Sequence, residues 1–155
     1  MRAQLDEQSV IKANAQFWEQ MLAMKLEPVP SAEQFCVEAG HMLGSVALNG
    51  VWKGRIEVRI AGGLAYAATA AMMMQAVGTV GEADALDATK EIANMIAGII
   101  KSSLPRPCSM TVPESAVEQE GFCYSVATEG SLMVAFRHPA GDLVVRVWEQ
   151  ECTRV

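Results

Sequence analysis

Apolar residues recur at helical spacing through residues 4–26. Val10, Phe17, Met21 and Met24 lie seven, four and three positions apart, and Ile11, Trp18 and Leu22 widen the same stripe. This period predicts an amphipathic first helix with one face turned to a core. Pro28 and Pro30 end it, because proline lacks the N–H that a helix needs. The period then shortens to two: residues 35–38, 45–48 and 52–60 predict three strands, with turns marked by Gly40 and Gly50. In the third strand Ile56, Val58 and Ile60 face one way, and Arg55, Glu57 and Arg59 face water.

An uncharged stretch rich in Ala and Met, residues 64–77, predicts a buried helix closed by Gly78, with Met72, Met73 and Met74 in the core. Asp84 can cap the next helix, which runs to 103 and stops before Pro105 and Pro107. Strands follow at 108–111, 122–128, 132–137 and 143–148, with hairpin turns at Glu129-Gly130 and Ala140-Gly141. This order predicts an α+β layered sandwich with helices packed on a mainly antiparallel sheet, and residues 1–155 are expected to form one domain.

The helix over 84–104 carries the candidate chemistry. At 100° per residue, Ala88, Ile92, Met95, Ile96, Ile99 and Ile100 form a continuous apolar face. Asp87, Glu91, Asn94, Gly98 and Lys101 fall within an arc of roughly 80° on the other side. Glu91 and Asn94 are therefore neighbours, exposed and aimed together. A polar face on an amphipathic helix is most often merely solvated. Two residues here are poor choices for that purpose. Asn94 is a mediocre helix former at mid-helix with no capping role, and an exposed Gly98 costs about 1 kcal/mol relative to Ala. Together they leave a bare strip that another surface could approach. Asp87 has two readings, a helix-start charge that favours the macrodipole or a contact residue of that strip.

Composition narrows the function classes. The chain is 51% hydrophobic, 19% charged and carries a net charge of -6, so it can build a core and lacks the basic face of a nucleic-acid binder. Cys36, Cys108, Cys123 and Cys152 show no CxxC spacing and no nearby His, which leaves no zinc pattern and suggests reduced thiols. The first residues hold acids and no apolar run, so no signal peptide is expected and the location is expected to be cytoplasmic. Residues 60–81 are uncharged and long enough to span a hydrocarbon core of ~30 Å, but their Ala, Gly and Met content fits a buried helix better. His41 and His138 lie in unrelated segments and read as strand-edge or surface residues. Trp18, Trp52 and Trp148 read as packing residues.

Asp87, Glu91 and Asn94, continued as Met-Ile-Ala-Gly and followed by Pro113, resemble the signature of the CheC, CheX and FliY chemotaxis phosphatases. EIANMIAG is similar to the CheX form, and the order of elements is similar along nearly the whole chain. Two departures stand out. The interval from Asn94 to Pro113 is several residues short of the usual family spacing. The second motif that CheC proteins carry on the first helix is also broken, since Asn14 has Ile11 three positions before it where Glu would stand. One site is the CheX pattern.

The resemblance implies dephosphorylation of a phospho-aspartyl, CheY-like receiver domain. Asn94 would position the attacking water, and Glu91 would dock against the receiver's active-site lysine. Asp87, Gly98 and Lys101 would then be partner-binding residues. No cofactor of its own is implied, since the receiver carries the Mg²⁺. The resemblance also implies a homodimer formed through the sheet, for which the alternating Leu143, Val145 and Val147 could supply an edge. The competing reading is a catalytically silent domain of the same fold that binds a receiver or another signalling partner.

Overall fold

The computed structural model describes residues 5–29, 35–124 and 131–150. Asp6 opens helix α1 (Glu7–Leu22), accepting from the Ser9 backbone N–H at 2.9 Å and from Ser9 Oγ at 2.8 Å. Those bonds favour the ionised carboxylate and hold the Asp6 carboxyl below its ordinary range. Val10, Phe17 and Trp18 are buried as the stripe predicts, and Ala13 is buried with them. The helix closes short of residue 26 because Ala23 turns left-handed (φ 54°) and the Met24 N–H returns to the Trp18 carbonyl at 2.9 Å. Met24 therefore lies beyond the helix, and Met21 in its last turn is 56% exposed. Gln4 and Pro30, at or beyond the predicted ends, lie outside the described residues.

The remaining elements are β1 (Glu27–Val29), β2 (Phe35–Val37), β3 (Met42–Gly50), β4 (Gly54–Ile60), α2 (Gly62–Met73), α3 (Glu82–Lys101), β5 (Cys108–Met110), β6 (Glu114–Val117), β7 (Phe122–Tyr124), β8 (Ser131–Arg137) and β9 (Leu143–Glu149). The main sheet runs β1-β8-β9-β4-β3-β5, with β6 also on β3, and each pairing is antiparallel. This is the expected α+β layering. Ile56, Val58 and Ile60 stand opposite Val147, Val145 and Leu143, and with Met42, Val46 and Leu48 they form the core beneath the helices.

That register corrects the expected dimer edge. β9 lies between β8 and β4, so Leu143, Val145 and Val147 are buried in the core and offer no free edge. Among the described residues, the outermost strands are β1 on one side and β5 with β6 on the other. Pro28 sits in β1, where an edge tolerates its missing N–H. The turn at Ala140-Gly141 forms, with the Gly141 N–H donating to the His138 carbonyl at 3.0 Å. The predicted turn at Glu129-Gly130, and the strand beyond residue 124, lie outside the described residues.

The opposite face of the sheet is not open to water where the alternation placed it there. A short ribbon of β2 and β7 lies over it. Glu57 and Arg59 are consequently buried, while Arg55 stays exposed. Arg59 stacks over the Phe122 ring at 4.0 Å and reaches Glu57 at 3.3 Å and Glu118 at 3.2 Å, so its charge is both covered and paired. The expectation of reduced thiols also fails for one pair. Cys36 and Cys123 face each other in the ribbon register and form a disulfide on its solvent side. Cys108 is a free thiol, and Cys152 lies outside the described residues.

Other expectations shift less. α2 buries Leu64, Ala65, Ala68, Thr69 and Ala70, but Met73 in its last turn and Met74 just past its end are exposed, contrary to a core reading of the methionines. It spans 12 residues, and no described helix is long and apolar enough to cross a membrane. His41 is buried, contrary to a surface reading; its Nδ1 donates to the Glu38 carbonyl at 2.8 Å and its Nε2 lies 3.5 Å from Glu118. His138 accepts from the Ala140 N–H at 3.0 Å within the hairpin turn. Trp18 and Trp52 are core residues, and Arg146 stacks over Trp148 at 3.8 Å on the outer face.

Candidate functional site

The twenty residues of α3 make a rod about 30 Å long. It starts two residues before Asp84, so Asp84 caps from inside the first turn, its Oδ2 accepting from the Gly81 N–H at 3.0 Å. Asp87 then stands beyond the first turn, where the macrodipole reading of its charge is weak. Asp87 and Glu91 are exposed like charges four residues apart, an arrangement that costs an isolated helix about 0.2–0.5 kcal/mol. Helix stability alone does not account for it.

Packing sets the azimuth of this helix. Ala85, Ala88, Thr89, Ile92, Ala93, Ile96, Ala97 and Ile100 are buried, while Met95 and Ile99 are only partly covered. The buried arc is rotated from the predicted one because α3 is wedged between β3 and β6 on one side and α1 and α2 on the other. Small residues permit the close fit. A Cβ at Gly44 of β3 would lie 2.8 Å from the Thr89 carbonyl oxygen and 2.9 Å from Ala93 Cβ. Ser115 Oγ of β6 donates to the Leu86 carbonyl at 2.8 Å, and Pro113 leads into that strand.

The rotation keeps the predicted strip on the outer side but partly covers its carboxy-terminal half, which the period placed fully in the open. Asp87 and Glu91 are exposed, and Asn94, Gly98 and Lys101 are half-buried along the same side. Neither Glu91 nor Asn94 has a hydrogen bond or an ion pair to another described residue. A carboxamide can donate to and accept from one water molecule while staying neutral, and this one is unoccupied beside a free carboxylate. Packing gives no reason for glycine at 98, since a Cβ there would meet no atom of the other described residues within 4 Å.

Asn14 is the contrasting case. It is buried, its Nδ2 donates to the Val10 carbonyl at 2.9 Å, and its Oδ1 accepts from Trp18 Nε1 at 3.3 Å. That carboxamide cannot meet a substrate. Residues not singled out from the sequence join the end of the strip: Ser102, Arg106, Pro107 and Cys108 border an open groove with Gly98 and Lys101. Nothing in their spacing announces this, because the turn after α3 brings them together. Among the described residues, no group of three or more His, Cys, Asp or Glu side chains converges as metal ligands.

A family described as chemotaxis phosphatase CheX matches residues 42–137. No curated protein sequence matches. Among solved structures, the chemotaxis protein CheX of Vibrio vulnificus is similar over 93% of this chain and 95% of its own, at 15% identity and a TM-score of 0.72. A CheC-like protein of a Shewanella species covers 93% and 96% at 16% identity and a TM-score of 0.73. A third is the CheX of Borrelia burgdorferi in a complex with CheY, BeF₃ and Mg²⁺, covering 93% and 97% at 17% identity and a TM-score of 0.69. At these identities the likeness is one of fold.

Proposed function

This chain belongs to the chemotaxis phosphatase CheX family, and from that premise we propose that it hydrolyses the aspartyl phosphate of a CheY-like receiver domain through Glu91 and Asn94. One observation carries the assignment to those residues: a half-buried Asn94 carboxamide one turn from an exposed Glu91, neither with a partner among the described residues.

In this reading the acyl phosphate is already activated, and Mg²⁺ carried by the receiver would supply charge neutralisation at the phosphoryl oxygens. What the receiver lacks is a water held in line. Asn94 accepts one O–H of that water and donates to its oxygen, directing a lone pair at phosphorus. The water oxygen bonds to phosphorus as the bond from phosphorus to the aspartyl oxygen breaks. Inorganic phosphate leaves carrying both protons of the water on its oxygens, and the aspartate keeps the electron pair as a carboxylate. Glu91 forms a charge-assisted pair with the receiver's active-site lysine and sets the register of the two proteins. Asp87, Gly98 and Lys101 extend the contact along α3.

The homodimer expected for the family belongs to this proposal with a changed surface, the flank at β1 or at β5 and β6, because β9 is internal. A cytoplasmic location follows in the same way from the partner. Release of inorganic phosphate from a phosphorylated receiver domain of the same genome tests the function. Acceleration by this chain supports it; binding without acceleration favours the silent-domain reading.

A further inference from the structure

At the carboxy-terminal end of the Glu91–Asn94 strip, α3 and the segment after it enclose an open groove of about 500 Å³, lined by Gly98, Lys101, Ser102, Arg106, Pro107 and Cys108. Its charged lining residues are Lys101 and Arg106, and among the described residues neither forms an ion pair. In a chain with 18 acidic residues against 12 basic ones, a lining with two cations and no anion departs from the surface average.

The helix end does not need both cations. Its last carbonyls are already taken: Gly98 by the Ser102 N–H at 3.3 Å, Ile99 by Ser102 Oγ at 2.6 Å, Ile100 by Ser103 Oγ at 2.8 Å and Lys101 by the Leu104 N–H at 3.0 Å. Lys101 in the last turn complements the macrodipole, but Arg106 lies beyond the helix and does not. Gly98 lines the groove on the side of Asn94, and among the described residues no side chain or neighbouring element covers its backbone.

We infer that this groove receives a carboxylate-bearing segment of the same receiver domain that the Glu91–Asn94 strip engages. The inference rests on the reading of that strip as a receiver-docking face. Docking then has two points of opposite sign: Glu91 takes a cation of the receiver, and Lys101 with Arg106 takes an anion. Glu91 and Lys101 are ten residues apart on one helix, so the two receiver charges stand about 15 Å apart along its axis. Opposite charges at that separation admit one orientation of the partner and oppose the reverse one. That orientation keeps Asn94 over the phosphoryl group.

The test titrates a receiver domain of the same genome, held in its beryllofluoride–Mg²⁺ form, into wild-type protein and into a Lys101→Glu, Arg106→Glu double variant. Neither side chain is in the core, and circular dichroism checks the fold. The expected result is a Kd raised by at least about tenfold with a flatter salt dependence. In wild-type protein, bound receiver should also slow alkylation of the Cys108 thiol, read on its peptide by mass spectrometry. A double variant that binds within about twofold of wild type overturns the groove assignment. So does weakened binding with Cys108 unprotected, which places the effect in long-range steering. Wild-type protein that binds no receiver removes the docking reading itself, an outcome distinct from tight wild-type binding that ignores both substitutions.

Discussion

The Trp18 indole N–H donates to the Asn14 carboxamide oxygen at 3.3 Å inside the helix layer, and Asn14 Nδ2 donates in turn to the Val10 carbonyl. This relationship makes Asn14 a structural residue and leaves α3 with the one available asparagine of the two motif positions. Asn14→Ala strands a buried N–H and removes packing, which costs about 1–3 kcal/mol. Chemical denaturation should show that loss, while turnover per folded molecule stays at the wild-type level. A specific loss of turnover without loss of stability would mean that α1 takes part in catalysis.

Gly44 fixes how closely α3 approaches β3. Gly44→Ala places a methyl group 2.8–3.0 Å from Thr89 and Ala93, and the helix must shift to admit it. Overpacking of this kind costs about 1–3 kcal/mol. Because Glu91 and Asn94 ride on the same helix, phosphate release should fall along with the unfolding midpoint. An unchanged midpoint would show that the helix yields freely at this point.

Gly98 is expected to separate stability from binding. Its Cβ space is open, so Gly98→Ala should stabilise α3 by about 0.5–1 kcal/mol. The same methyl group stands on the strip and should weaken receiver binding, measured by titration calorimetry. A variant that is more stable and binds equally well would reduce Gly98 to a neutral surface position.

The Cys36–Cys123 disulfide closes a long loop, at a sequence separation of 87. Cys36→Ser, or reduction of the native protein, should lower stability by roughly 2–5 kcal/mol. The ribbon lies over the sheet face opposite α3, so phosphatase activity of the folded protein should be unaffected. Equal unfolding curves with and without reductant would contradict this.

What could be read from the sequence follows the range of each signal. The adjacency of Glu91 and Asn94 depends only on the helical period, while packing against β3, β6, α1 and α2 rotates the buried arc and leaves Glu91 exposed and Asn94 half-buried. The burial of Glu57 and Arg59 has no local signal, because their cover comes from strands 35–37 and 122–124, remote in the chain and brought together only by the fold. The cysteine pairing has the same origin. The strand over 143–149 alternates as an edge strand would, and only its pairing with both β8 and β4 makes it central. The early end of α1 depends on a left-handed Ala23, for which alanine gives no signal. The groove at Arg106 and Cys108 was hidden for a related reason, since it is made by a turn and has no period.

The most direct test of the central claim is the rate of inorganic phosphate release from a phosphorylated receiver domain in the presence of wild-type protein and of Asn94→Ala. Loss of a positioned water predicts a fall of roughly ten- to a thousandfold, with the fold intact and the receiver still bound. Wild-type turnover in Asn94→Ala would contradict the account.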